Sequence, residues 1–461
     1  MQENPLGYRP IGKLLIQFAI PSVISMVVNA LYNIVDQIFI GIGVGYLGNA
    51  ATTVVLPLMT ILLAIGTMIG GGSSAYAALK LGEGNKEEAH KTLGCEVVAL
   101  IVIGIFVTIF CLLFLDPILN IFGATSANIE YAKTYGSIII LGATFNLLGL
   151  GLSNMARCDG APKVAMYSMV IGAIINTILD PIFIFIFKWG VAGAALATIT
   201  SQFVGALILI YYFVKKANMK LNKKIIAFNL QRMLTICSLG MSSGITQGAI
   251  SIMQIVLNNS LVHYGDLCSV SGDVALSAMG VVSKVSMLII SICVGIGVGA
   301  QPILGYNRGA NQPKRIKKTY LSAVCIATCV AVLGWCMCQF APHIVLSLFG
   351  GGDVNFMSFA IKAMRTYMFC VFCCGFQITA TNYFQATGQP LKASVLSMLR
   401  QLILLIPLII IMPLFFGLDG ILYAGPIADA LSAIIVFVFI SFEMKKLNKE
   451  INHSTIIEHG V

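Results

Sequence analysis

NALYNIVDQIFI, residues 29–40, places a carboxylate inside an apolar run. The run extends from about Ile11 to Gly41, long enough to cross a bilayer with some tilt. Asn29, Asn33 and Asp36 stand at i, i+4 and i+7, so a helix puts them on one face with Tyr32 beside them. An acid at the bilayer centre costs on the order of 2.5–3.5 kcal/mol. It persists only where it faces protein, a partner or water. Asp36 therefore marks a functional site, and the rest of the chain must say what the acid is for.

The chain has 461 residues, of which 58% are hydrophobic and 10% charged. A soluble domain carries roughly 25% charged residues. The reading is an all-α polytopic membrane protein, with the lipid bilayer as its first partner. The net charge of +10 does not indicate nucleic acid, because no stretch forms a basic, water-exposed domain. The N-terminus MQENPLGYRP lacks a basic n-region and a small-residue cleavage site, so no cleavable signal peptide is expected. Most of the 13 cysteines lie in apolar segments. Cys370 and Cys373 form a CxxC without a His or second pair at zinc spacing, so neither a disulfide framework nor a zinc site is expected.

Twelve apolar segments follow one another, at 12–40, 50–79, 93–115, 131–156, 162–187, 191–214, 232–262, 273–305, 319–341, 357–386, 391–416 and 419–443. If they alternate across a membrane, one side collects most of the Lys and Arg. That side holds Arg9, Lys80, Lys86, Lys91, Arg157, Lys163, the cluster Lys215 to Arg232 (with Lys223 and Lys224), Arg308 to Lys318, Lys392 and Lys445 to Lys449. The other holds mainly Lys133, Lys188, Lys362 and Arg365. Positive-inside bias puts the first side, and both termini, in the cytoplasm of a plasma-membrane protein.

The chain also repeats itself. GGGSSAYAALKLGEGNKEEAHKT (70–92) matches GVGAQPILGYNRGANQPKRIKKT (297–319) in pattern. NMARCDGAPK (154–163) matches NYFQATGQPLK (382–392), and GVAGAALA (190–197) matches GLDGILYA (417–424), all at an offset of about 227. Six spans per repeat give both halves the same orientation, hence two pseudo-symmetric six-helix bundles. The expected organisation is an N-lobe over 1–214, a basic cytoplasmic linker over 215–231, a C-lobe over 232–444 and a cytoplasmic tail over 445–461.

Charge breaks the symmetry. The first half carries Asp36 and Asp180 within its spans, whereas position 180 corresponds to Pro407 in the second. Asn176 and Asp180 are i, i+4 in NTILDP, and Pro181 is expected to bend that helix and free backbone carbonyls. Thr198, Ser201 and Gln202 share a face of the next segment. At ~1.5 Å per residue from the cytoplasmic ends, Asp36 and Asp180 reach the outer half of the bilayer, and Tyr135 lies at similar depth. Such hard oxygen ligands suit a proton shared between carboxylates, or a sodium ion. Lys284 and Arg400 are also intramembrane, and Asp429 can pair with one of these bases. Tyr32, Asn33, Lys284 and Gln202 are the expected substrate contacts.

No GK[ST] P-loop or ATP-binding domain is present, so no cofactor is expected and energy must come from an ion gradient. The five His residues lie near loops or the tail, with no Ser/His/Asp constellation, so no enzyme is expected.

Two motifs carry a resemblance over nearly the whole chain. P-S followed by YNIVDQIFIG in the first span, and N-x-x-x-D-P in the fifth, resemble the multidrug and toxic compound extrusion (MATE) family, closest in wording to its MepA-type, DinF-like branch. The resemblance implies a cation-coupled (H+ or Na+) antiporter exporting small amphipathic organic cations by alternating access, acting as a monomer, with two lobes around a V-shaped cavity. It also implies that Asp36 is the coupling carboxylate, with Asn176, Asp180, Thr198 and Tyr135 completing its polar set and holding any Na+. The acids that a NorM-like branch carries in helices seven and ten are missing from GITQGAISIMQ and FQITATNYFQA, so coupling is expected in the N-lobe. A lipid-linked precursor flippase of related architecture is the alternative.

Overall fold

The computed structural model describes residues 5–122, 124, 128–222, 225, 227–268, 272–347 and 354–459. Lys223 and Lys224 of the basic stretch lie outside the described residues. The described secondary structure is helical. In the first half of the chain the long helices are α1 (Ile11–Val44), α2 (Tyr46–Gly82), α3 (Lys86–Leu113), α4 (Ile129–Leu141), α5 (Ala143–Cys158), α6 (Pro162–Pro181) and α7 (Gly190–Tyr211). In the second they are α8 (Leu230–Asp266), α9 (Gly272–Gly309), α10 (Pro313–Phe340), α11 (Val354–Tyr367), α12 (Cys374–Ala386), α13 (Pro390–Met398), α14 (Ile406–Phe416) and α15 (Leu418–His459).

Each of the twelve apolar segments coincides with one helix or one broken pair. Among the described residues, nine helices are long and apolar enough to cross a membrane, and two pairs, α4 with α5 and α11 with α12, are bent by 50° and 44°. The seventh segment, α8, is a helix of 37 residues. Ser242, Ser243, Gln247, Ser251, Gln254, Asn258 and Asn259 make it too polar for that count.

The breaks have local causes. Gly142 separates α4 from α5, and a Cβ there would lie 2.4 Å from Ile199 of α7. Pro181 ends α6 and is followed by a π-helical turn, Ile182–Ile186. A proline lacks the N–H for the helical ladder, and the wide turn takes up the mismatch.

The matched loops are matched for a backbone reason. Gly84 (φ 81°) and Asn311 (φ 51°) occupy corresponding turns, as do Gly160 (φ 90°) and Gly388 (φ 78°), and Gly190 (φ 56°) and Gly417 (φ 57°). All six are left-handed, a region open to glycine and tolerated by asparagine. The repeated sequence is therefore a repeated set of helix-ending turns.

Packing divides the chain into two compact units, Ile24–Gln247 and Met1–Val23 with Gly248–Val461. The chain thus changes unit in the middle of α1 and of α8, whereas the sequence repeat changes over in the linker. Glycines on α2 and α9 make the changeover. In the first unit a Cβ on Gly240 of α8 would lie 1.7 Å from the Met68 carbonyl oxygen, and one on Gly72 would lie 2.0 Å from that of Ile236. In the second, a Cβ on Gly299 of α9 would lie 2.7 Å from Ala19 Cα, and one on Gly295 2.5 Å from Val23 Cα. Gly72 and Gly299 stand at corresponding places in the repeat, so each half uses the same bare helix face to grip the start of a helix.

Candidate functional site

The first unit brings the predicted acids together. Asp36 comes from α1 and Asp180 from the last turn of α6, just before the π turn. The two carboxyls lie close enough to share a hydrogen bond. Asp36 Oδ1 and Asp180 Oδ2 are both buried and have no donor. Two ionised carboxylates can only accept, so a proton or a cation between them would give each unpartnered oxygen a partner.

Asn176 and Thr198 hold the second acid. Asn176 Nδ2 lies 3.4 Å from Asp180 Oδ1 and 3.4 Å from Thr198 Oγ1 on α7. Asp180 is 0% exposed, with Asn176 and Thr198 at 1% and Tyr135 at 2%. Tyr135 of α4 and Tyr32 of α1 both lie within electrostatic reach of Asp36 and Asp180. An apolar groove of about 270 Å³ runs between α1 and α6, lined by Val28, Leu31, Tyr32, Ala173, Ile174 and Thr177 among others. Tyr32 thus belongs both to the groove wall and to the surroundings of the acids.

The family model MatE matches residues 21–182 and again 243–411. The chain belongs to the MatE family. It is 28% identical to the multidrug export protein MepA of Staphylococcus aureus, over 99% of this chain and 100% of that one. It is 27% identical to MepA of Staphylococcus haemolyticus, over 96% and 97%. A solved MATE structure in complex with MaL6 superposes with a TM-score of 0.91 at 24% identity, covering 97% of this chain and 100% of that one. An outward-facing multidrug resistance MATE family transporter superposes with a TM-score of 0.90 at 25% identity, covering 97% and 99%. As a MATE protein the chain is a transporter, not an enzyme.

The remaining predicted residues of this MATE chain are placed as follows. Asn33 is exposed and donates its amide to the Asn29 carbonyl of its own helix at 2.6 Å. Gln202 is half-buried on α7, one turn from Thr198, and among the described residues no hydrogen bond joins it to the acids. Lys284 is half-buried on α9 in the second unit and forms no ion pair among the described residues. Arg400 and Asp429, also in the second unit, are paired through Arg400 Nε and Asp429 Oδ1, and Gln377 donates to the Asp429 carbonyl at 2.8 Å.

Two features escaped the sequence reading. Asp159, in the turn after α5, accepts from Tyr212 Oη at 2.6 Å, Asn218 N at 2.9 Å and Met219 N at 2.8 Å. It clamps the start of the linker to the first unit. Burial holds its carboxyl above the ordinary range, and the bonds from Tyr212, Asn218 and Met219 offset only part of that rise. The second feature is Glu96, 0% exposed on α3 with neither oxygen bonded. Its signal was present as the lone acid in LGCEVVALIVIG, but it stands near a segment end, where an acid reads as interfacial.

Proposed function

We propose that this MATE transporter is a cation-coupled multidrug antiporter. It exports small amphipathic organic cations across the plasma membrane by alternating access, using H+ or Na+ that enters at Asp36 and Asp180. The observation that carries the reading is two neighbouring carboxyls, each with a buried oxygen that has no donor. Binding a cation there removes an unmet charge, so occupied and empty forms of the first unit differ in free energy. An ion can drive transport only through such a difference between states. Inward movement of one charge supplies about 2.3 kcal/mol per 100 mV. Asn176, Thr198 and Tyr135 complete the ion site. The apolar groove beside Tyr32 fits a flat, greasy ligand, and the relatives named for multidrug export support the substrate class. Lys445 to Lys449 and the other basic ends support cytoplasmic termini.

The test is ethidium efflux from proteoliposomes under an imposed proton or sodium gradient, with and without a proton ionophore. Efflux should require one gradient and should be lost in Asp36→Asn. Undiminished gradient-driven efflux in that variant overturns the coupling role.

A further inference from the structure

Glu96 is a buried acid of the first unit that, unlike Asp159, has no bonded partner at either oxygen. It is fully buried on α3 between Cys95 and Val97 of the apolar core, and Leu100 shares its approach to Gly151. Its carboxyl lies on the backbone of α5: a Cβ on Gly151 would be 2.7 Å from Glu96 Oε1. The nearest buried cation on the facing helix, Arg157, does not reach it. Arg157 is 2% exposed, bonds Asn154 Oδ1 through Nη1 at 3.1 Å, and leaves Nε and Nη2 without acceptors. An ionised carboxylate so enclosed is far costlier than the neutral acid. A metal ion needs several oxygen ligands, and the described residues hold no cluster of three His, Cys, Asp or Glu. The ligand that this enclosure suits is a proton.

Position gives the acid a role. Glu96, Leu100, Gly104 and Thr108 recur every fourth residue and share one face of α3. That face runs along α5 and α4. Glu96 meets Gly151, a Cβ on Gly104 would lie 2.5 Å from Thr144 Oγ1, and Thr108 Oγ1 donates to the Ile140 carbonyl at 3.0 Å. Tyr135, beside Asp36, follows on α4. From Glu96 to Thr108 the stripe rises about 18 Å. Glu96 lies about 15 Å into α3 from its Lys86 end, whereas Asp36 lies about 37 Å along α1 from Ile11. With both helix starts on the cytoplasmic side, Glu96 is the inner acid and Asp36–Asp180 the outer pair.

We infer that Glu96 is a second proton-binding site, an inner station that takes the proton between the Asp36–Asp180 pair and the cytoplasm. This rests on the antiport reading with the proton as coupling ion. The other titratable groups around Glu96 are few. From α5 come Arg157 and Cys158, with Asp159 in the turn beyond. From α2 the first charge is Lys80, paired with Glu83. From α8 come Cys237, beside Cys95, and Arg232, paired with Glu88. On α3 itself His90 contacts the Asn218 carbonyl. None of these supplies Glu96 with a bonded partner.

The full chain in lipid, titrated from acid to alkaline pH under infrared light, tests the inference without any substrate. A protonated-carboxyl band that titrates and is lost in Glu96→Gln, separately from one lost in Asp36→Asn, is expected. A titration unchanged by Glu96→Gln overturns the inference and leaves the Asp36 reading standing. Should Glu96→Gln not fold, Glu96→Asp must shift the same band, and an unshifted band is equally fatal. In proteoliposomes, Glu96→Gln should lower proton-driven ethidium efflux about tenfold while downhill ethidium exchange continues. Wild-type efflux with an unchanged pH profile overturns the inner station.

Discussion

Asn176 reaches Asp180 from one helical turn away, with Nδ2 at 3.4 Å from Asp180 Oδ1 and equally far from Thr198 Oγ1. The amide has two donor hydrogens and spends one on each oxygen, so it positions the acid between α6 and α7. Asn176→Ala should remove that positioning. Losing a buried hydrogen bond to a charged group costs about 1.5–3 kcal/mol, so gradient-driven ethidium efflux should fall about tenfold or more. Thr198→Val should have a smaller effect in the same assay, and Thr198→Ser should restore wild-type rates.

The glycine crossings predict a sharp contrast in stability. Gly240→Ala places a methyl on the Met68 carbonyl, and only backbone movement relieves it. The expected loss is about 1–3 kcal/mol or more, read as a lower unfolding temperature in detergent. Gly248→Ala on the same helix has nothing within 4 Å of its added Cβ. It should be neutral or stabilise by up to about 1 kcal/mol.

Arg400 and Asp429 should tolerate removal together better than singly. Arg400→Met leaves Asp429, 3% exposed, without its partner. Breaking one side of a buried pair costs about 3–5 kcal/mol, while replacing both sides by apolar residues is often close to neutral. The double variant Arg400→Met with Asp429→Leu should therefore unfold at a higher temperature than Arg400→Met alone.

The linker clamp is testable by protease. Asp159→Ala removes the acceptor for Tyr212 Oη and for the Asn218 and Met219 amides. Cleavage within 217–229 under limited proteolysis should accelerate several-fold, with cleavage elsewhere unchanged. Equal rates in variant and wild type would show that other contacts hold the linker start.

Much of the architecture was legible because a membrane makes strong local demands. Apolar runs long enough to cross stand out against short polar turns, and the left-handed positions at Gly84, Gly160 and Gly190 have counterparts in Asn311, Gly388 and Gly417. Asp36 and Asp180 were visible because an acid within an apolar run is costly wherever it stands. Glu96 carries the same signal but lies near the start of the apolar segment 93–115, although about three turns into the helix itself, and hydropathy alone does not give that depth. Asn33 shows the reverse limit. Its spacing placed it with Asp36, yet its amide turns back onto Asn29, a choice of rotamer that no periodicity records.

The sequence by itself determined the apolar spans, the turns that join them, the internal duplication and the two outer acids of the first half. These follow from hydropathy, turn chemistry and the cost of charge in lipid, all local quantities. Depth and motif group Asp36 with Asp180, and tertiary structure decided the contact itself, two carboxyls close enough to share a hydrogen bond. It also decided that α1 and α8 each change unit halfway along. Both depend on which helix faces which, and that is settled by how closely bare backbones such as Gly240 on Met68 and Gly299 on Ala19 can approach. The stretch around Asp36 says that an acid is kept in the membrane, and the fold brings the second carboxyl, Asp180, within hydrogen-bonding reach of it.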